Sequence, residues 1–193
     1  MGAEPEPVVF LKPPSCLLPG GGTVPWPEGS REVHHEVELV LLLGSGGTFL
    51  DLGQADGAIA AVAVGLDLTA RDLQATAKAK GQPWARSKGF PGAGPVSEFV
   101  GRSALGVAWA DIDLRLEVDG AVRQQAHGRE MILDPPAVVA RLSRWFSLAP
   151  GDLIFTGTPA GVGPLAPGSR ALATSAALGV SLAVALAAPA GPA

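Results

Sequence analysis

The chain predicts a mixed β (α+β) fold: many short strands, tight turns and a few short helices. Glycine and proline number 26 and 18 among 193 residues, yet 47% of the residues are apolar. So many turn formers in a chain apolar enough for a core imply short strands rather than disorder. Apolar residues also alternate with polar ones, or run together over strand-like lengths, more often than they recur at helical spacing. At 193 residues the chain has the size of a single domain with a sizeable core.

Residues 1–30 hold turn chemistry, with Pro13-Pro14, Pro19 to Gly22, Pro25 and Pro27, and read as loop. The triplet Gly20-Gly21-Gly22 is followed by neither a Lys-Ser/Thr pair nor a helix, so it is no phosphate loop. An unbroken strand then runs through Val37 to Leu43 and ends at Gly44. A short helix over Leu52 to Ala58 precedes an apolar strand leading to Asp67. Thr69 to Lys80 has helical propensity, stopped by Gly81 and Pro83, and Gly89 to Pro95 is an irregular loop. Asp111 to Val118 alternates apolar and charged residues and turns at Asp119-Gly120 into Ala121 to Gln125, the signal of a type I′ hairpin. Pro135 and Pro136 open a helix at Ala137 to Phe146, with Val138, Val139, Leu142 and Trp145 at helical spacing. Leu148 to Asp152 is a turn feeding the strand Leu153 to Phe155. From Ala171 to Pro189 no residue is charged, but Val180, Leu182, Val184 and Leu186 alternate with small residues, which argues a strand rather than a membrane span.

Composition excludes some functions. The net charge is −4, with no basic stripe and no tyrosine, so nucleic acid is not an expected partner. The single cysteine, Cys16, rules out an internal disulfide framework and suits a reducing compartment. Met1 to Glu6 has neither the basic nor the apolar region of a secretory signal, so a cytoplasmic location is expected.

The most informative motif is His34-His35-Glu36-Val37-Glu38 at the head of the Leu39 to Leu43 run. On a strand, His34, Glu36 and Glu38 face one way while Val37 and Leu39 face the other. Paired acids entering a core repel each other and lose hydration, costs that a divalent cation removes. A surface strand with a wet acidic face is the alternative. Asp67, where the second strand becomes accessible, adds a third carboxylate, and three hard oxygen donors suit Mg²⁺ or Mn²⁺ rather than zinc. Cys16, His34, His35 and His127 offer no zinc spacing. Asp72 competes with Asp67 for that role, or pairs with Arg71, or caps the following helix.

Glu36-Val37-Glu38, Leu66 to Gln74 (LDLTARDLQ) and Thr156 to Gly163 (TGTPAGVG) together resemble the fumarylacetoacetate hydrolase family, in its acylpyruvate hydrolase and oxaloacetate decarboxylase branch. Supporting pieces stand in family order: Phe10 to Pro13, Lys78 to Trp84, Ser87-Lys88 with Phe90, Gly94 to Ser97, and Leu148 to Asp152. The resemblance spans about Val9 to Gly168. It implies rolled β-sheets, a homodimer, and one catalytic domain over residues 1–193, short at its N-terminal end.

The resemblance also implies roles. Glu36, Glu38 and Asp67 would hold Mg²⁺ or Mn²⁺, which chelates a small oxo acid and stabilises an enolate when a C–C or C–H bond breaks. Arg71 and Gln74 would bind substrate oxygens, Arg71 by gripping a carboxylate or, alternatively, forming a surface ion pair. Lys88 would enter the site and stabilise developing enolate charge, unless it is merely solvated. Thr158 would donate to the substrate carboxylate from its hydroxyl and backbone N–H. The branch also carries a lid with a His-x-x-Glu dyad that prepares water. No such dyad stands near Met1, and the His35-to-Glu38 spacing puts its two residues on opposite strand faces. His34 shares the acidic face and reads as structural. Ser169 stands where the family has an acid, and the strands beyond it match poorly. The expected activity is acylpyruvate hydrolysis or oxaloacetate decarboxylation. A tautomerase or isomerase of unsaturated oxo-dicarboxylates and a catalytically silent metal-binding protein are the alternatives.

Overall fold

A computed structural model describes residues 6–189. The leader reading of Met1 to Glu6 therefore falls almost wholly outside the described residues. The strands and helices follow as β1 (Leu17–Pro19), β2 (Gly22–Val24), β3 (Val33–His35), β4 (Val37–Leu43), α1 (Leu52–Ala58), β5 (Ile59–Leu66), β6 (Thr69–Ala70), α2 (Arg71–Ala79) and α3 (Ala85–Lys88). Then come β7 (Gly94–Val96), β8 (Val100–Gly101), β9 (Asp113–Val118), β10 (Ala121–His127), α4 (Pro135–Leu142), β11 (Leu153–Phe155), β12 (Gly163–Leu165), β13 (Arg170–Ser175) and β14 (Val180–Leu186). The mixed α+β class is as the composition predicts.

The strands form three sheets. A six-stranded sheet runs β1-β7-β5-β4-β11, with β8 also on β5; a five-stranded sheet runs β10-β9-β13-β14-β2; a three-stranded sheet runs β12-β3-β6. Most pairs are antiparallel, but β1 lies parallel to β7 and β2 parallel to β14. These two strands sit within the N-terminal stretch expected to be loop. Three residues are too few for an alternating pattern to show, and their order comes from partners far along the chain.

The unbroken apolar run of β4 has a direct cause: both faces of the strand are covered. Leu39, Leu41 and Leu43 join the main core with Val62, Val64 and Leu66, while Val40 packs with Ala63 and Val96 in a smaller cluster on the other face. A strand covered on both sides cannot alternate in polarity. The strand expected to continue from the His34-His35 motif is interrupted at Glu36, where β3 leaves for the three-stranded sheet and β4 enters the six-stranded one.

Several local readings hold. Asp51 caps α1 by accepting from the Gln54 N–H at 2.9 Å. Asp119 and Gly120 have φ of 51° and 79°, the left-handed pair that a type I′ turn needs. The charge-free stretch after Ala171 forms β13 and β14, in which Leu182, Val184 and Leu186 are buried while Ser181 and Ala183 are exposed. No helix among the described residues is long and apolar enough to cross a membrane. One helix is shorter than expected: α4 starts behind the Asp134 cap and stops at Leu142. There the Ser143 hydroxyl turns to the Leu50 N–H and the Ser143 carbonyl to the Phe49 N–H, which diverts the chain and leaves Trp145 outside the helix.

Candidate metal centre

Strand register brings the acids together. Val37 pairs with Leu66 and Glu38 with Gly65 across β4 and β5. One step beyond, the Asp67 N–H donates to the Glu36 carbonyl at 2.8 Å, so Asp67 sits opposite Glu36. Opposed residues share a face, with Cβ atoms about 4.5–5.5 Å apart. Glu36, Glu38 and Asp67 each offer a carboxylate oxygen within 4.8 Å of the others, and all three residues are buried.

Basic groups surround this cluster. Lys88 Nζ donates to Glu36 Oε2 at 2.7 Å and to Asp67 Oδ2 at 2.5 Å. Its side chain is only 3% exposed, and the Phe10 ring lies 4.7 Å from its ammonium. Arg71 donates to Glu36 Oε1 at 2.6 Å, to Gln74 Oε1 at 2.7 Å and, more weakly, to His34 Nδ1 at 3.4 Å. Lys12 donates to Asp67 Oδ1 at 2.8 Å and to the carbonyls of Lys88 and Ala93.

Glu38 differs from its two companions. Its carboxylate accepts from the Gly157 N–H at 2.7 Å, whereas the two lysines bind Glu36 and Asp67. Burial, followed by the negative charge of Asp67, pushes the Glu38 carboxyl up to about 8, against the pull of the Gly157 N–H.

This donor set fits a hard divalent cation. Three buried carboxylates, one on β4 and one each beside the ends of β4 and β5, supply oxygens alone, and the Lys88 ammonium bridging two of them marks where positive charge is favoured. Beside the acids a cavity of about 950 Å³ is lined by Glu38, Lys12, Phe10, Thr158, Met131 and Phe146, among others. Of the three acids only Glu38 lines this space, so the cluster meets it through Glu38 and Lys12; its volume is large enough for a small organic acid.

Two sequence readings need correction. Asp72 neither binds the acid cluster, nor pairs with Arg71, nor caps α2. Its carboxylate accepts from the Ser30 hydroxyl at 2.6 Å, the Arg31 N–H at 2.8 Å and, from within the first turn of α2 rather than the N-cap position, the Leu73 N–H at 2.9 Å. Burial opposes ionisation there, but these bonds hold Asp72 below its ordinary pKa. The N-cap position falls on Ala70, because β6 runs directly into the helix. The Thr158 hydroxyl is not free for a substrate carboxylate: its proton goes to the Val37 carbonyl at 2.9 Å, and it accepts from Gln124 Nε2 at 2.8 Å.

Lys12, Gln124 and the Gly157 N–H were not singled out from the sequence. Lys12 stands within the Phe10 to Pro13 segment but looks like any lysine beside prolines. A backbone N–H has no side-chain signature, and Gln124 faces inward from a strand of mostly exposed residues.

Comparison with known proteins places this geometry. Residues 1–185 match the family model for the Fumarylacetoacetate (FAA) hydrolase C-terminal region, which extends the likeness beyond the expected limit at Gly168. The chain is 41% identical over 164 residues to the mitochondrial oxaloacetate decarboxylase of Dictyostelium discoideum, covering 84% of this chain and 75% of that protein. It is 42% identical over 160 residues to the mitochondrial oxaloacetate tautomerase FAHD1 of Mus musculus, covering 83% of this chain and 72% of the relative. Among solved structures, the fumarylpyruvate hydrolase of Pseudomonas aeruginosa in complex with Mn²⁺ and pyruvate superposes with a TM-score of 0.87 at 36% identity, covering 93% of this chain and 78% of that one.

Proposed function

The chain belongs to the fumarylacetoacetate hydrolase family, and from that premise we propose that it is a divalent-metal-dependent enzyme cleaving small 2-oxo and 2,4-dioxo acids through an enolate. Acylpyruvate hydrolysis and oxaloacetate decarboxylation are the reactions proposed. The observation that carries this reading is the convergence of the three buried carboxylates of Glu36, Glu38 and Asp67, with oxygens within 4.8 Å of one another, beside a cavity. These residues would hold Mg²⁺ or Mn²⁺. When bound, the dication supplies Lewis acidity to the oxygens of a 2-oxo acid and so stabilises enolate charge.

The remaining roles belong to the protein. Arg71, fixed by Gln74 and Glu36, presents a guanidinium to a substrate carboxylate, and Gln74 sets its direction while offering an amide to substrate oxygens. Lys88, held in a nearly dry position, supplies positive charge and a proton where the oxyanion develops. The Thr158 backbone N–H is the remaining donor proposed for the carboxylate. In oxaloacetate, the bond to the departing carboxylate breaks, its electron pair forms the enolate, CO₂ leaves, and protonation of carbon yields pyruvate.

A tautomerase reading draws support from the tautomerase relative, since interconverting enol and keto forms needs the same enolate stabilisation and a proton shuttle. We further propose one catalytic domain over the chain, a cytoplasmic location in keeping with the lone buried Cys16, and a homodimer. Leu11 and Ile132, exposed by 74% and 85% beside the cavity, support self-association. The test is to strip the protein with chelator, restore Mn²⁺ or Mg²⁺, and follow CO₂ release, acylpyruvate hydrolysis and enol-to-keto conversion side by side. Metal-dependent turnover of any of these acids supports the enzyme; dominance of the last selects the tautomerase; loss of all three overturns the reading.

A further inference from the structure

We propose that Gln124 is a positioning residue, a buried carboxamide that fixes the Gly157–Thr158 backbone against Glu38 and so sets the direction of that carboxylate. It lies on β10 of the five-stranded sheet and is 1% exposed. Every hydrogen-bonding position of its amide is occupied. Oε1 accepts from the Val37 N–H at 3.1 Å and from His35 Nδ1 at 3.0 Å. Nε2 donates to the Thr158 hydroxyl at 2.8 Å and to the Pro159 carbonyl at 2.9 Å.

The partners dictate the amide's orientation. A backbone N–H can only donate and a carbonyl can only accept, so exchanging Oε1 and Nε2 would break the bonds to Val37 and Pro159. The same logic places the His35 proton on Nδ1.

The contacts form a short chain to the acid cluster. Gln124 holds Val37, the residue before Glu38, and also holds Thr158, the residue after Gly157. The Thr158 hydroxyl closes the loop on the Val37 carbonyl, and the Gly157 N–H meets Glu38 Oε2 at 2.7 Å. One side chain from another sheet thus sets the spacing between the acid-bearing strand and the loop that steadies its least-paired acid. Close packing supports the same link: a Cβ on Gly161 would lie 2.2 Å from the Arg123 carbonyl, so this loop is seated directly on β10.

The inference rests on the proposed function, because it needs Glu38 to bind metal. The test titrates chelator-stripped full-length protein with Mn²⁺ alone by calorimetry, and records thermal melting without metal. Gln124→Met preserves bulk and removes all four hydrogen bonds; Thr158→Val cuts the link at the loop; Thr158→Ser keeps the hydroxyl. Outer partners of metal ligands typically contribute about 10–100-fold to affinity, and Gln124→Met and Thr158→Val should each weaken Mn²⁺ binding by that order. Thr158→Ser should restore it, and the double variant should lose little more than the worse single one. Reduced melting temperature with Mn²⁺ affinity unchanged would make Gln124 merely structural and overturn the proposal. If Gln124→Met does not fold, wild-type affinity in Thr158→Val overturns it and weakened affinity rescued by Thr158→Ser upholds it. Failure of the unaltered protein to bind Mn²⁺ would instead remove the functional reading, and this inference with it.

Discussion

Lys12 and Asp67, 55 residues apart in sequence, are joined at 2.8 Å through Asp67 Oδ1, while Lys88 takes Oδ2. One lysine therefore occupies the aspartate oxygen away from the bridging ammonium and leaves the other turned toward Glu36. Lys12 also ties down the carbonyls of Lys88 and Ala93, so a single ammonium joins the N-terminal segment, α3 and the acid cluster.

Lys12→Met should destabilise the metal-free protein. It strands a buried carboxylate oxygen and removes a donor from two carbonyls, and breaking one side of a buried pair costs about 3–5 kcal/mol. Mn²⁺ should recover part of the loss by neutralising Asp67. Urea denaturation with and without Mn²⁺ measures both effects. An unchanged midpoint would show that this pair contributes little.

Glu38 makes stability depend on pH in an unusual direction. Its folded pKa, about 8, lies above the ordinary 4.5, so the metal-free fold favours the protonated form. That contribution is fully present below 4.5 and is lost as pH rises through about 8. Subtracting the pH–stability curve of Glu38→Gln from that of the wild type should reveal a decline across this window. Binding Mn²⁺ below about pH 8 should also expel the Glu38 proton, which calorimetry in buffers of different ionisation enthalpy detects. A flat difference curve, or no proton release, would count against the raised value.

The acid cluster was legible in the sequence because strands alternate faces: Glu36 and Glu38 must point the same way, and Asp67 ends the neighbouring apolar run. What holds those acids in place was not legible. Lys12 and Gln124 act on partners 55 and 89 residues away, and no local pattern marks a side chain whose role depends on another sheet. Asp72 misled for the complementary reason. An acid beside a helix start leaves several roles open, and only the fold shows that Ser30 and Arg31 join the Leu73 N–H on its carboxylate.

Replacing acids and replacing Lys88 should separate binding from chemistry. Asp67→Asn and Glu38→Gln each remove a proposed ligand, so both should lose retained metal and oxaloacetate turnover together. Lys88→Ala removes a group proposed to act as charge develops, and should lower kcat by about 10²–10³-fold with a much smaller change in Mn²⁺ affinity. Unchanged decarboxylation in either acid variant would reject the metal assignment. Loss of metal from Lys88→Ala would make that lysine structural.

Two glycines in the Thr156 to Gly163 loop should respond differently to alanine. Both have left-handed backbones, with φ of 99° at Gly157 and 101° at Gly161. A Cβ at Gly157 meets nothing within 4 Å, so its cost is backbone strain, about 1–3 kcal/mol. A Cβ at Gly161 meets the Arg123 carbonyl at 2.2 Å and Gln124 Cγ at 3.2 Å, so the loop must also lift from β10. Gly161→Ala should therefore be the more destabilising change in urea. It should also weaken Mn²⁺ binding from a position that touches none of the three acids, because lifting the loop draws the Gly157 N–H away from Glu38. Equal destabilisation by the two substitutions would mean that the loop yields without disturbing the strand beneath it.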